Sequence, residues 1–240
     1  MWRFILLCCI SLPALAATPV CKNSVPASVL LELFTSQGCS SCPPAENWLA
    51  KIPPQFDSNQ VISLAWHVDY WDYLGWKDEF SSSQFSSRQR ERVRSSGHDK
   101  VYTPQLMING LTQYWREAPE NLIRQKLQST ASDDISITAQ PQAANSWLLT
   151  VNTSTSPPNT VLRAALIGDN VSRKITSGEN AGRILNHPSP VLAYNARVNN
   201  SVTLKPVGGK AVRAVVWLES TQQSTVLAIS SIDLLTCRSR

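Results

Sequence analysis

Cys39-Ser40-Ser41-Cys42 holds the residues of this 240-residue chain whose type and spacing most directly permit chemistry. A thiol pair of this kind closes to a disulfide, and as a thiolate either sulfur attacks a disulfide in another molecule. What decides whether a thiolate forms is the setting. An apolar run (Val29, Leu30, Leu31, Leu33, Phe34) leads through Thr35-Ser36-Gln37-Gly38 into the pair, and Ala45, Trp48, Leu49 and Ile52 then recur at i, i+3, i+4 and i+7. The order is strand, tight loop, dithiol, helix. A dithiol at the mouth of a helix receives the positive end of the helix dipole and free backbone N–H groups, both of which favour thiolate over thiol. Thiol–disulfide exchange is therefore the leading expectation, with no cofactor, with protein thiols or disulfides as substrate, and with a separate electron-transfer partner.

Pro43-Pro44 follows the second cysteine directly. Proline is tolerated only in the first helical turn, so the helix is expected to begin at Pro43 with Cys42 as its cap residue. Cys39 then lies on the loop ahead of the helix, where the dipole helps it less. Ser40 and Ser41 add no charge that would set the direction of the reaction.

The elements around the pair divide the chain. Val61 to Val68 is a second buried strand; Gln105 to Ile108 is a third, closed by the hairpin signal Asn109-Gly110, and Ala118 to Leu127 resumes a helical pattern. Past Ser129–Asp134 nearly everything reads as strand or loop. Strands are expected near Ile135–Ala139, Trp147–Asn152, Val161–Gly168, Val191–Val198, Val202–Lys205, Ala211–Glu219 and Val226–Asp233. Seven short strands with turn-rich gaps suggest an immunoglobulin-like sandwich over residues 133–240, after an α/β domain over 17–132.

Residues 1–16 read as an export signal, with Arg3 at the start, an apolar stretch from Phe4 to Leu12 and Ala14-Leu15-Ala16 as the cleavage signature. The apolar stretch is short for a membrane span and no later run approaches the ~20 residues required, so no stable membrane insertion is expected after cleavage. Cleavage removes Cys8 and Cys9 and leaves Cys21, Cys39, Cys42 and Cys237. Four cysteines allow three pairings. With Cys39–Cys42 favoured as the labile pair, Cys21–Cys237 remains as a candidate structural bridge worth ~5 kcal/mol on chain-entropy grounds. The compartment expected is the periplasm or the exterior.

Hydrophobic residues make up 42% of the chain, and the formal charge of +5 is spread along it. The one local cluster, Arg88-Gln89-Arg90-Glu91-Arg92-Val93-Arg94, has arginines at alternate positions and reads as a solvated helix that sprays them around its circumference. That distribution, together with export and the lack of a recognised binding motif, excludes nucleic acid as a partner.

The first domain resembles the thioredoxin-like superfamily, and more closely the chain is similar to a secreted bacterial family catalogued as domain of unknown function 1223. The residues that carry the likeness are Leu31 to Ala45, His67 to Asp78, Arg88-Gln89-Arg90, Val101-Tyr102-Thr103-Pro104-Gln105 with Asn109-Gly110, and Gly178-Glu179-Asn180 with Gly182-Arg183 and His187. The superfamily resemblance implies that Cys39 is the exposed nucleophile and Cys42 the resolving thiol. It implies too that Thr103 offers its backbone to an extended substrate and that Pro104 is joined to it by a cis bond. The buried acid that thioredoxins carry before the dithiol is out of step here, since Glu32 is offset by one residue and a one-residue offset reverses the face.

Glu32 is thus either a proton acceptor of raised pKa or a salt-bridge partner. His67 to Asp78 packs one His, three Asp, two Tyr and two Trp into twelve residues at a strand end. It reads either as a wall beside the dithiol, with His67 or Asp69 assisting proton transfer, or as a loop pinned by aromatic packing. Glu179, Asn180, Arg183 and His187 fall in a long gap between strands, where a loop could reach over the dithiol or seal a domain contact. Two competing classes remain. One is a copper- or zinc-binding protein using Cys39, Cys42 and His67, and the other is a secreted binding module whose Cys39–Cys42 disulfide is structural.

Overall fold

The computed structural model describes residues 20–22, 24–57, 59–128, 134–223 and 225–237. The expected export signal with Cys8 and Cys9, and the expected boundary between residues 132 and 133, lie outside the described residues. The elements run β1 (Val25–Ala27), β2 (Val29–Thr35), α1 (Pro43–Lys51), β3 (Val61–His67), α2 (Ser83–Ser95), β4 (Gln105–Ile108), β5 (Leu111–Gln113) and α3 (Glu120–Leu127). Then follow β6 (Ile135–Gln142), β7 (Ser146–Thr153), β8 (Thr160–Ile167), β9 (Val171–Lys174), β10 (Ile184–His187), β11 (Val191–Val198), β12 (Ser201–Leu204), β13 (Arg213–Ser220) and β14 (Val226–Asp233). The fold is rich in β-structure, and no helix among the described residues is long and apolar enough to cross a membrane.

The strands form a four-stranded sheet in the order β3-β2-β4-β5, a five-stranded sheet β1-β14-β13-β8-β11, a three-stranded sheet β12-β7-β6 and the hairpin β9-β10. In the first, β2 runs parallel to β3 and antiparallel to β4. Residues 109 and 110 close the β4–β5 hairpin with φ of 47° and 93°, the left-handed pair that such a turn demands and that Asn-Gly accommodates.

Because side chains alternate along a strand, each buried strand serves two cores. Val29, Leu31 and Leu33 of β2 pack with Ala45 and Leu49 of α1, Ile52 at its C-terminal cap and Ile123 of α3. Leu30 and Phe34 turn the other way, joining Leu64 and Trp66 of β3, Phe85 and Val93 of α2, and Val215 and Trp217 of β13. The next residues of β13, Ala214, Val216 and Leu218, face the three-stranded sheet through Ile137, Trp147 and Leu149. The five-stranded sheet is therefore a middle layer with an apolar core on each side. It also takes β1 from the start of the chain, which pairs with β14 near the end. Cys21 bridges Ala139 of β6 by backbone hydrogen bonds and is disulfide-bonded to Cys237, with a Cα separation of 5.2 Å.

The arginine cluster does not form a solvated helix. In α2 the alternation places Arg88 and Arg92, four residues apart, on one face and Arg90 and Arg94 on another. Arg90 and Arg94 are exposed, whereas Arg88 and Arg92 are 2% and 0% exposed. The buried pair meets Glu32, with Arg88 Nε 2.7 Å from Oε1 and Arg92 Nη2 2.7 Å from Oε2, and both reach Glu219 of β13. Arg163 of β8 closes the network on Glu219 at 2.6 Å. The Arg88 guanidinium also stands 5.0–5.6 Å from the ring centres of Trp66, Tyr194 and Trp217. The Asn109-Gly110 turn and the apolar runs of the sequence locate the expected strands, but the hairpin β9–β10 falls where a gap was expected.

Candidate functional site

The loop from Ser36 to Cys42 is wound tightly before α1 begins. Cys39 N–H donates to the Ser36 carbonyl and Cys42 N–H to the Cys39 carbonyl, and the two cysteines are disulfide-bonded with a Cα separation of 5.4 Å. Cys42 is the cap residue of α1 and Pro43 and Pro44 are its first two positions. Both prolines lack an N–H, so two of the donors that a helix start normally offers are missing, and the first used are those of Ala45 and Glu46, which bond the Cys42 carbonyl. Of the dithiol, Cys39 is 3% exposed and Cys42 fully buried.

What covers it comes from far along the sequence. In the loop between β9 and β10, Asn180 Nδ2 donates to the carbonyls of Gln37 and Cys39 at 2.9 and 3.0 Å, and Glu179 Oε2 accepts from Ser40 N–H at 3.0 Å. Arg183 Nη1 donates to Asn180 Oδ1 at 2.8 Å and so fixes the side-chain amide. At Gly178, φ is +72° and a Cβ would lie 3.0 Å from Trp76 Cβ, so the backbone there needs a residue without a side chain.

Beneath the dithiol lies a buried polar cluster. Glu46, one turn after Cys42, accepts from Thr35 Oγ1 at 2.6 Å and holds His187 Nδ1 at 2.6 Å from its other oxygen. Trp76 Nε1 donates to Gln37 Oε1, which turns the Gln37 amide nitrogen toward His187 Nε2 at 3.2 Å. Nε2 must accept there, so the ring proton sits on Nδ1 and is donated to Glu46. Asp78 Oδ2 accepts from Gln37 N–H at 2.8 Å and from His67 Nδ1 at 2.6 Å, and Oδ1 accepts from Phe80 N–H. The rings of His67 and His187 meet edge to face, 4.8 Å between centres, with Phe80 against both.

Burial works to raise the pKa of Glu46, but the neighbouring His187 and His67 and the hydrogen bonds from His187 and Thr35 outweigh it and hold the carboxyl below its ordinary value. Burial likewise opposes ionisation of Asp78, and His67 with the two backbone N–H donors keeps it low. For His67, burial works downward while the carboxylates of Asp78 and Glu46 lift it above the ordinary imidazole value.

On the open side, Ser41 shares a cavity of about 330 Å³ with Tyr102, Thr103, Pro104, Tyr114 and Trp115. The Thr103–Pro104 peptide is cis and Thr103 Oγ1 accepts from Trp71 Nε1 at 2.7 Å. A second cavity, about 490 Å³, lies on the other side of the loop between Ser40, Pro43 and the β10 residues Ile184 and Leu185. Ile184 and Tyr114, one in each wall, are 68% and 64% exposed.

The structure thus sets Ser41, between Cys39 and Cys42, in one cavity with Thr103 and Pro104, and it places His67 in the buried cluster with Glu46 and His187. Glu32 is elsewhere: its side chain leaves β2 with Leu30 and Phe34, on the face opposite α1, and is held by Arg88 and Arg92. Burial pushes its pKa up, yet those two guanidinium groups prevail and keep it ionised, as a salt-bridge partner. Asp69 accepts from Ser86 Oγ while its own N–H donates to that hydroxyl, which ties the strand end to α2. The aromatic and acidic block is divided between the buried cluster and α2. Trp76 and Asp78 line the buried cluster, and Tyr70 anchors α2 through Gln89. Sequence reasoning missed Glu46, whose only signal is its place four residues after Cys42; Glu179 and Asn180 sit in a loop that does reach over the dithiol, one of the two alternatives open for that segment, while His187 joins the cluster beneath it.

The model of a family described as "Protein of unknown function (DUF1223)" matches residues 30–227. No curated protein matches the sequence. Among solved structures, protein AGR_C_4864 from Agrobacterium tumefaciens is similar at 24% identity and a TM-score of 0.56, over 87% of this chain and 94% of that one. HBP35 of Porphyromonas gingivalis is similar at 15% identity and a TM-score of 0.56, over 90% of this chain and 78% of that one. Likenesses at these identities bear on the fold alone.

Proposed function

From the premise that the chain belongs to the DUF1223 family, we propose that it is an exported thiol–disulfide oxidoreductase working through Cys39 and Cys42. Its first part (17–132) is read as a thioredoxin-like domain and its second (133–240) as an immunoglobulin-like sandwich. The observation that carries the reading is the placement of a CxxC disulfide at the start of α1, at the edge of a cavity that also holds Thr103 and Pro104. Export is supported by the signal pattern at residues 1–16 and by two disulfides, which persist in oxidising compartments. Periplasm and exterior both fit.

In the reducing direction, the Cys39 thiolate attacks one sulfur of a substrate disulfide and expels the other as a thiolate. Cys42 thiolate then attacks the Cys39 sulfur of the mixed disulfide and releases the second substrate thiolate, leaving Cys39–Cys42 oxidised and the substrate reduced by two electrons. The reverse sequence oxidises a substrate dithiol. Either way a dithiol or disulfide of a partner protein restores the starting state. Since Cys39 is 3% exposed, attack requires Glu179 and Asn180 to release Ser40 and the Cys39 carbonyl. The open cavity walls, with Tyr102, Tyr114 and Trp115, suit an extended polypeptide with apolar side chains.

The deciding experiment equilibrates the protein in glutathione or dithiothreitol buffers and traps free thiols. A potential for Cys39/Cys42 between about −270 and −120 mV is expected, with Cys21–Cys237 intact, and Cys42→Ser should accumulate mixed disulfides at Cys39. A potential below about −300 mV identifies a structural disulfide and removes the proposal.

A further inference from the structure

We propose that Glu46, His67 and His187 form a binding site for a divalent first-row transition ion, with Zn(II) as the reference ion. The inference stands on side chains other than the dithiol and does not require the redox reading.

One donor atom from each of the three residues lies within 4.8 Å of the others, and Glu46 is 3% exposed while both histidines are fully buried. The three come from α1, the end of β3 and the end of β10, separated by 21 and 120 positions in sequence. Nothing local in the chain brings them together. His67 supplies the second observation. Its Nδ1 is bound by Asp78 at 2.6 Å, while its Nε2 is buried with no hydrogen-bond partner. A buried nitrogen left without a partner is destabilising and rare without a reason. An imidazole with one nitrogen oriented by a carboxylate and the other offering its lone pair is the arrangement that metal-binding histidines adopt.

Geometry and charge agree. Donors around a tetrahedral ion at ~2.1 Å stand ~3.4 Å apart, so separations of up to 4.8 Å close by less than ~1 Å per side chain, and His187 exchanges either its Nδ1 hydrogen bond to Glu46 or its Nε2 contact with Gln37 for the ion. Glu46 and Asp78 place two carboxylates in a buried site with Phe80 against both imidazole rings, and a divalent ion bound by neutral imidazoles balances them. Two imidazole nitrogens and one carboxylate oxygen suit Zn(II), Cu(II) or Fe(II), and they disfavour Mg(II) and Ca(II), which take oxygen ligands. Three protein donors leave one position for water or another small ligand. Bound there, the ion ties the β9–β10 hairpin to α1 directly under the loop that covers the dithiol.

The test uses the full chain with both disulfides oxidised, so that no thiolate is present, and titrates it with Zn(II) against a chromogenic chelator. One equivalent should bind. Binding should persist in Cys39→Ser/Cys42→Ser, disappear in His187→Gln, and weaken ~10- to 100-fold in Asp78→Asn through loss of the group that orients His67. Because buried substitutions can prevent folding, the unaltered protein is also loaded with Co(II). Ligand-field bands of a four- or five-coordinate ion, with no thiolate charge-transfer band, are expected. Failure to bind stoichiometrically, loss of binding in the double serine variant, or undiminished binding in folded His187→Gln would each overturn the assignment.

Discussion

Two buried charged clusters sit on opposite faces of β2 and β3, equally hidden from water and chemically unlike. On the face toward α2, Glu32 and Glu219 are shared by Arg88, Arg92 and Arg163. On the face toward α1, Glu46 and Asp78 are shared by His187 and His67. Guanidinium groups do not release a proton at any ordinary pH and have no lone pair to offer, so the first cluster can fasten but not react. Imidazoles do both. Burial alone therefore does not mark a functional site; what distinguishes one is burial of groups whose state can change.

Removing one member of the first cluster should have the largest effect. Arg88→Met takes away the cation between Glu32 and Glu219 and is expected to cost about 3–5 kcal/mol in urea unfolding, because it leaves carboxylate charge buried and under-compensated. The Cys39/Cys42 potential should stay unchanged in the variant that still folds. A potential that moved with it would erase the division of labour between the two faces.

Acid should act next, on the depressed carboxyls of both clusters, and Glu219 is the one to follow. Burial would raise the Glu219 pKa, but Arg88, Arg92 and Arg163 pull it from 4.5 down to about 2. A carboxyl depressed in the folded state adds stability that is complete above pH 4.5 and fades as pH falls toward 2. The shift corresponds to about 3 kcal/mol. Stability measured from pH 6 to pH 2.5 should fall, and Glu219→Gln should fall less steeply from a lower start. Equal slopes would show that Glu219 is not the linked group.

Glu46→Gln should be milder in stability, about 1–3 kcal/mol for a buried acceptor set partly unpaired, but here the dithiol should respond. Its reduction potential should shift, since Gln removes a buried carboxylate charge one helical turn from Cys42. An unchanged potential would make this cluster as purely architectural as the other. The smallest effect belongs to Arg90→Gln on the exposed side of α2, expected within ±0.5 kcal/mol. A larger loss would restore the solvated face of that helix to the argument.

The contrast explains what the sequence disclosed. The dithiol, the helix start at Pro43, the Asn109-Gly110 hairpin and most strands were legible because local patterns encode them: proline position, turn chemistry and alternation. The fate of Arg88 and Arg92 was not, because the same alternation fits a solvated helix until Glu219, more than 120 positions away, comes into view. Glu46 breaks the apolar face of α1 and looks like a surface acid. The β9–β10 hairpin escaped because Ser172-Arg173-Lys174 carries no apolar alternation, both its faces being partly wet. His187, visible as a residue, gains meaning only from the partner that folding brings to it.

The five-stranded sheet, with apolar side chains on both faces, has a consequence for how this protein can be handled and how it can diverge. Val215 and Trp217 complete the wall behind Phe34 and Trp66, while Val216 and Leu218, their neighbours on the same strand, complete the core of the three-stranded sheet. The portion bearing the dithiol is accordingly no transplantable cassette. Cut free at residue 128, it would carry a wet aromatic surface where its back wall had been, so exchange of this head between proteins would have to carry the middle sheet with it.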